Sequence, residues 1–304
     1  MYKKRKGVLG SRRADKRTKR SRAGAAVVIT PQPLEAELRG HIRRIPNMAL
    51  TQLPAIIESA RGLNVVDLQE DVVRACLQRI LSYKCSEERA PRPEQVRTLR
   101  RLIFGKCDVL LIARTGFGKS LIFHAYSILT GKITLQLIPL TKLGDEQLCN
   151  IRRFTGAMPC LIDAKTKTEE KDMLSKVAAG QYTHVLLGPE QASSRSFRQT
   201  LKKTDLQARI GLVAINECHL VMQWEKFRPA FTLLGELRTI LHKDIVWFGC
   251  SATLDEASET RVLDTAGFRA VGNRMYQTEI IRTSVDRPDV ALCVVPIPRG
   301  KLTS

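Results

Sequence analysis

The run ARTGFGKS at residues 113–120 carries the residue types and spacing needed to hold a polyphosphate. Gly116 and Gly118 let the backbone curl so that its amides face anionic oxygens. Lys119 can reach the terminal phosphates of a nucleoside triphosphate, and the Ser120 hydroxyl can coordinate Mg²⁺. Thr115 and Phe117 complete the loop, and Ala113 takes the place of the first glycine in the general pattern. A second candidate group is Glu217 in GLVAINECH (211–219), a carboxylate just past an apolar run that could polarise an attacking water as general base. A helix cap is its competing reading. The third is GCSATLD (249–255), where Ser251 and Thr253 taken alone read as turn and cap hydroxyls.

Such groups need a frame, and the chain supplies one in short apolar runs. These are DVLLIA (108–113), ITLQLIP (133–139), HVLLG (184–188), GLVAIN (211–216) and IVWFGC (245–250). They are nearly continuous in apolar residues rather than alternating, as strands covered on both faces should be. Helical segments are predicted over 119–129, 141–152, 168–179, 190–203, 232–241 and 254–266. This alternation specifies an α/β fold with a parallel sheet covered by helices, whose ligands bind beyond the carboxyl ends of the strands. The phosphate loop follows a strand and opens a helix, the context it needs. Ahead of this unit, residues 34–83 read as helical, most clearly in VVDLQEDVVRACLQRIL, and carry no motif. The polar connection KCSEERAPRP (84–93) follows, and its prolines predict a break.

The net charge of +20 points to a polyanionic partner. Half of it lies between Lys3 and Arg22, where eleven Lys or Arg face one acid, Asp15. An arm of this composition is expected to be disordered. It reads as a nuclear-import signal or nucleic-acid tether, with a solubilising tail as the alternative. No stretch of apolar residues is long enough to span a membrane, and no secretory signal follows the basic start. The cysteines at 76, 85, 107, 149, 160, 218, 250 and 293 form no CxxC pair, so no structural metal held by protein ligands is expected. Cys107, Cys250 and Cys293 lie beside strand-like runs and read as buried free thiols.

Taken in order, these segments resemble a superfamily-two helicase, and specifically the first motor domain of the RecQ group. RPEQ (92–95) resembles that family's adenine-reading motif through Arg92 and Gln95, with Pro91 where an aromatic is usual. ARTGFGKS is similar to the family's PTGGGKS, with Arg114 and Phe117 as departures. PLTKLGDEQ (139–147) resembles a segment that contacts the DNA backbone, GPEQ (188–191) parallels TPE, and NECH (216–219) corresponds to DEAH. QWEKFRPAF (223–231) resembles the aromatic-rich loop QWGHDFRP, one residue shorter, and is the most specific match. CSAT (250–253) and RPDV (287–290) match later motifs.

The resemblance implies a RecA-like P-loop NTPase domain over 92–286. It would follow a basic arm (1–24) and a helical region with linker (25–91), and lead at 287–304 into the linker towards a second motor domain. It implies an ATP-dependent 3′–5′ DNA helicase using ATP and Mg²⁺ on single-stranded or duplex DNA, and the basic arm adds the expectation of a nuclear location. Arg92, Gln95 and the run from Thr115 to Ser120 would contact nucleotide, with Lys119 and Glu217 catalytic and Ser120 and residue 216 on the metal. Trp224, Phe227 and Arg228 would contact DNA, although composition alone reads Trp224 as core packing. His219, Gln223, Ser251 and Thr253 would couple DNA contact to hydrolysis.

Two departures bear on activity. Asn216 stands where the family has a metal-holding aspartate, and a neutral amide brings no charge to the ion. Losing such an electrostatic element typically costs on the order of a hundredfold in rate. The chain also stops at Ser304, where the second motor domain and its arginine finger are expected. The expectation is ATP and DNA binding with impaired hydrolysis, or else a non-catalytic nucleic-acid-binding protein derived from a helicase.

Overall fold

The computed structural model describes residues 31–84, 90–139, 141–223, 230, 233–288, 290, 291 and 293. The basic arm lies outside them, as does nearly all of 287–304 beyond Pro288.

Seven strands form one sheet in the order β3-β4-β2-β5-β6-β1-β7. They are β1 (Asp108–Ile112), β2 (Ile133–Leu137), β3 (Pro159–Ile162), β4 (His184–Leu187), β5 (Ile210–Asn216), β6 (Val246–Ser251) and β7 (Thr278–Arg282). Every pairing between them is parallel. The five apolar runs of the sequence become β1, β2, β4, β5 and β6, and all their residues except Asn216 are buried. The sequence reading missed β3 and β7, the two edges. β3 is a four-residue run opened by Pro159, and β7 carries Thr278, Glu279 and Arg282, too polar for the pattern of a doubly covered strand.

The helices that shape the site are α1 (Pro31–Arg44), α2 (Leu53–Arg61), α3 (Val66–Lys84), α4 (Pro93–Ile103), α5 (Lys119–Thr130) and α6 (Thr141–Arg152). Pro93 opens α4, where its missing N–H is no loss, and the Arg92 N–H donates to Gln95 Oε1 at 2.9 Å. The helix expected over 168–179 is two, Ala164–Glu169 and Met173–Ala178. Asp163 starts the first early by accepting from the Thr166 N–H at 2.7 Å. The helix expected over 190–203 is likewise broken at Ser194, whose hydroxyl caps Arg195–Leu201. Among the described residues no helix is long and apolar enough to cross a membrane.

Side chains alternate across the sheet. Val109 and Leu111 join a buried cluster with α2, α3, α4 and α5, whereas Leu110 and Ile112 join one on the opposite face. The first cluster contains Ile57, Leu77, Leu99 and Phe123 together, so residues 34–83 are packed onto the sheet's covering helices. Burying each such side chain stabilises the fold by about 1.5–3 kcal/mol.

At the amino-terminal edge of the sheet, Asp108 is fully buried between two guanidinium groups. Arg238 Nη2 and Arg269 Nη1 both meet its carboxylate, the latter at 3.0 Å, and the Trp247 N–H donates to Oδ1 at 2.8 Å. Arg238 also stacks 3.5 Å from the Trp247 ring. This cluster fixes the end of the sheet away from the phosphate loop.

Candidate nucleotide-binding cleft

The carboxyl ends of β1, β6 and β5 lie abreast. Ile112 is in register with Ser251 and Asn216 with Cys250. The bonding runs past the strands, one residue beyond β1 through Ala113 N–H to Ser251 O and two beyond β5 through Cys218 N–H to Cys250 O, each 3.0 Å. At about 4.8 Å per strand, the end of β5 stands roughly 10 Å from the start of the phosphate loop. A triphosphate terminus and a water could fit into that span.

The loop itself is formed by its glycines. Gly116 and Gly118 take left-handed backbone, φ 79° and 88°. A Cβ on Gly116 would meet nothing within 4 Å, so that side of the loop is open, while a Cβ on Gly118 would fall 2.7 Å from Gln95 Nε2. Lys119 begins α5 and is buried, its ammonium donating to Ala113 O at 2.8 Å and Arg114 O at 3.2 Å. No carboxylate pairs with it among the described residues. Gly118 gives the amino end of α5 no side-chain cap, so its first N–H groups stay available. A buried cation, uncapped helix amides and an open glycine face fit an anionic phosphate chain.

Gln95 holds this loop from behind. Its Nε2 donates to Phe117 O at 3.0 Å and Gly118 O at 3.3 Å, while its Oε1 accepts from Arg92. Phe117 does not extend over the phosphate cradle. Its ring is buried in the core cluster, with the Arg92 guanidinium 5.0 Å from its centre. These residues line a cleft of about 880 Å³ that also takes in Ser120, His124, Leu81, Pro91 and Gln147. Leu81 comes from the helical region, and nothing in its local pattern could have placed it there. His124 lies four residues past Ser120 on α5, a helical spacing that could have been read from the sequence.

On the other flank, Glu217 has φ 53°, a left-handed conformation that is uncommon outside glycine. This turns the chain off β5 and sets its Oε2 3.4 Å from His219 Nδ1. The same His219 nitrogen lies 2.8 Å from Ser251 Oγ, which accepts from the Thr253 N–H at 3.1 Å. Burial pushes the His219 pKa down and the Lys119 charge adds to this, against the opposing pull of Glu217. With its proton on Nδ1, the neutral imidazole can share that one N–H between the Glu217 carboxylate and Ser251 Oγ. Asn216 points to β6 as well, its Oδ1 3.4 Å from the Cys250 thiol. Burial raises that thiol to about 12, so it stays protonated.

Glu217, His219, Ser251 and Thr253 are thus brought together at two adjacent strand ends, and Lys119 and Ser120 sit at the third. Gln223 is exposed at the end of a short helix. Trp224, Phe227 and Arg228 lie outside the described residues. For a metal, the groups on hand are the Ser120 hydroxyl, the neutral Asn216 amide and the Glu217 carboxylate. Among the described residues no three His, Cys, Asp or Glu side chains are grouped to hold an ion. Such a donor set suits Mg²⁺ only as an ion shared with substrate phosphates.

Comparison with known proteins agrees with this geometry. The chain is 27% identical over 202 residues to the bifunctional 3′-5′ exonuclease/ATP-dependent helicase WRN of Mus musculus, a match covering 66% of this chain and 13% of that protein. It is 28% identical over 222 residues to the ATP-dependent DNA helicase RecQ of a Synechocystis strain, covering 72% and 43%. Against the ATP-dependent DNA helicase hus2/rqh1 of Schizosaccharomyces pombe the match is 25% over 288 residues, covering 88% and 21%. The chain therefore spans less than half the length of these relatives. The DEAD/DEAH box helicase model matches residues 92–261, from the arginine before α4 into the helix after β6. That span takes in the phosphate loop, the Glu217 turn and the Ser251 loop at the three strand ends, and on it this chain belongs to the DEAD/DEAH box helicase family.

Proposed function

We propose that this chain is an ATP- and DNA-binding motor domain of the RecQ type that hydrolyses ATP slowly. The observation that carries the reading is the buried Lys119 ammonium, held among the described residues only by carbonyl oxygens at an uncapped helix start. A phosphate would replace those weak partners with full charge.

In this reading Lys119 and the α5 amides bind the β- and γ-phosphates, and Ser120 helps hold Mg²⁺, which would neutralise phosphate charge. Glu217 orients the attacking water and accepts its proton. His219 and Ser251 tie that carboxylate to β6, so a shift of the loop after Ser251 reaches the base. The DNA-facing groups would be Trp224, Phe227 and Arg228, and the basic arm would add phosphate contacts sensitive to salt. The arm would also direct the protein to the nucleus, which loss of nuclear retention on deleting residues 1–24 would test.

Asn216 supports slow turnover, since an amide brings the ion no charge and its oxygen already accepts weakly from Cys250. The second reading, a non-catalytic nucleic-acid-binding protein, rests on the same contact. Steady-state phosphate release with and without single-stranded DNA decides between them, with Lys119→Ala as control. DNA-stimulated turnover that disappears in Lys119→Ala supports the motor reading. Nucleotide binding without turnover favours the second, and no nucleotide binding at all would sink the first.

A further inference from the structure

The helical region carries a second recess, which meets the nucleotide cleft at Ala90 and Pro91. α1 and α3 pack against one another and, with Pro46, Ala90 and Pro91, line a groove of about 620 Å³. Its floor includes Ile42 of α1 and Ala75 of α3, both half-buried. Among the described residues its lining carries Arg39, Arg43, Arg74 and Arg79 against one carboxylate, Asp71. The spacing explains the arrangement, because 39 and 43 on α1, and 71, 75, 78 and 82 on α3, each follow a helical face. Arg79 is partly committed, donating to Met48 O at 2.8 Å. Arg39, Arg43 and Arg74 are exposed and have no ion pair among the described residues.

We infer that this groove docks an amphipathic, acidic helix of a partner protein. A trough between two helices is the shape that receives a third, with apolar side chains on the floor. Arginines on both rims, without an ion pair among the described residues, are complementary to glutamates or aspartates flanking that apolar face, and their planar forks match carboxylates. A nucleic-acid strand fits less well. Its bases would need aromatic platforms, and the described lining contains no aromatic ring. Phosphates alone would meet the rim and leave the apolar floor facing water. The motor reading needs none of these arginines, so the two proposals stand or fall separately.

The test uses fluorescence anisotropy of the full chain at about 0.15 M salt, where diffuse attraction is screened. The probe is a labelled helical peptide with leucines along one face and glutamates along the other. Two comparison probes are the same peptide with serine for leucine, and a labelled oligothymidylate. Arg39→Ala/Arg43→Ala and Arg74→Ala alter exposed side chains and should leave folding intact. Lys202→Ala/Lys203→Ala removes the same charge as the double variant at exposed positions elsewhere. The expected result is leucine-peptide binding weakened about tenfold by the arginine variants, little changed by the lysine pair, and much weaker for the serine peptide. Failure of the native chain to bind the leucine peptide overturns the proposal. Equal losses in arginine and lysine variants, or equal binding of both peptides, overturn it as diffuse electrostatics. Arginine variants that release oligothymidylate but not peptide would make the groove a nucleic-acid site instead.

Discussion

The Cys250 thiol lies 3.4 Å from Asn216 Oδ1, so the last side chain of β5 is turned onto β6 at the register pair where the two strands end. With an aspartate at 216, the same position would put a charge beside the ends of the phosphate loop and the Glu217 turn. Asn216→Asp should therefore raise DNA-stimulated phosphate release, by up to about a hundredfold. Unchanged turnover in this variant would show that residue 216 is not what limits hydrolysis.

Lys119→Ala should abolish the stabilisation that nucleotide gives the fold. A ligand at a hundred times its dissociation constant stabilises by about 2.7 kcal/mol. Thermal melts with and without Mg-ATP should show an upward shift for the native chain and none for the variant. An equal shift in both would place nucleotide binding elsewhere.

Gln95 acts through the loop it braces. Gln95→Ala leaves the Phe117 and Gly118 carbonyls without their side-chain donor, which costs about 1 kcal/mol. The expected result is nucleotide affinity weakened several-fold with little loss of cooperative unfolding. If affinity for ATP is unaffected, the loop holds its shape without Gln95.

Asp108→Asn should destabilise the whole fold by about 3–5 kcal/mol, because it leaves Arg238 and Arg269 without their buried counter-charge. Urea unfolding is the measurement. A loss below about 1 kcal/mol would mean that solvent reaches this edge of the sheet.

Burial holds His184 down at about 4 against an ordinary 6.5. The unfolded chain then takes up a proton in that window while the folded one does not, so stability rises with pH there. The contribution is complete above pH 6.5 and lost as pH falls towards 4, amounting to about 3 kcal/mol. His184→Gln should flatten the dependence of the urea midpoint on pH over that range. A variant with the native slope would assign the acid sensitivity to other groups.

The parallel sheet was legible because β1, β2, β4, β5 and β6 are apolar on both faces, and a strand that is covered twice records this in nearly every residue. β7 was not, since this edge strand carries Glu279 and Arg282, and β3 was not, since Pro159 opens a run of only four residues. The phosphate loop was legible for a local reason. Gly116 and Gly118 must take left-handed backbone, and Lys119 must begin a helix, all within eight residues.

What the sequence determined by itself is what short stretches of chain impose: strand interiors, the glycine loop, the acid after β5 and the neutral Asn216 beside it. Only the tertiary structure decided which distant groups meet. It placed Leu81 of an unassigned helix on the nucleotide cleft, spent Gln95 on the loop backbone, and tied His219 to Ser251 across two strands. It also buried Asp108 between two arginines and left the arginines of α1 and α3 facing an open groove. These relations depend on strand order and helix packing, which are set by the burial of the whole apolar surface at once and not by any local segment.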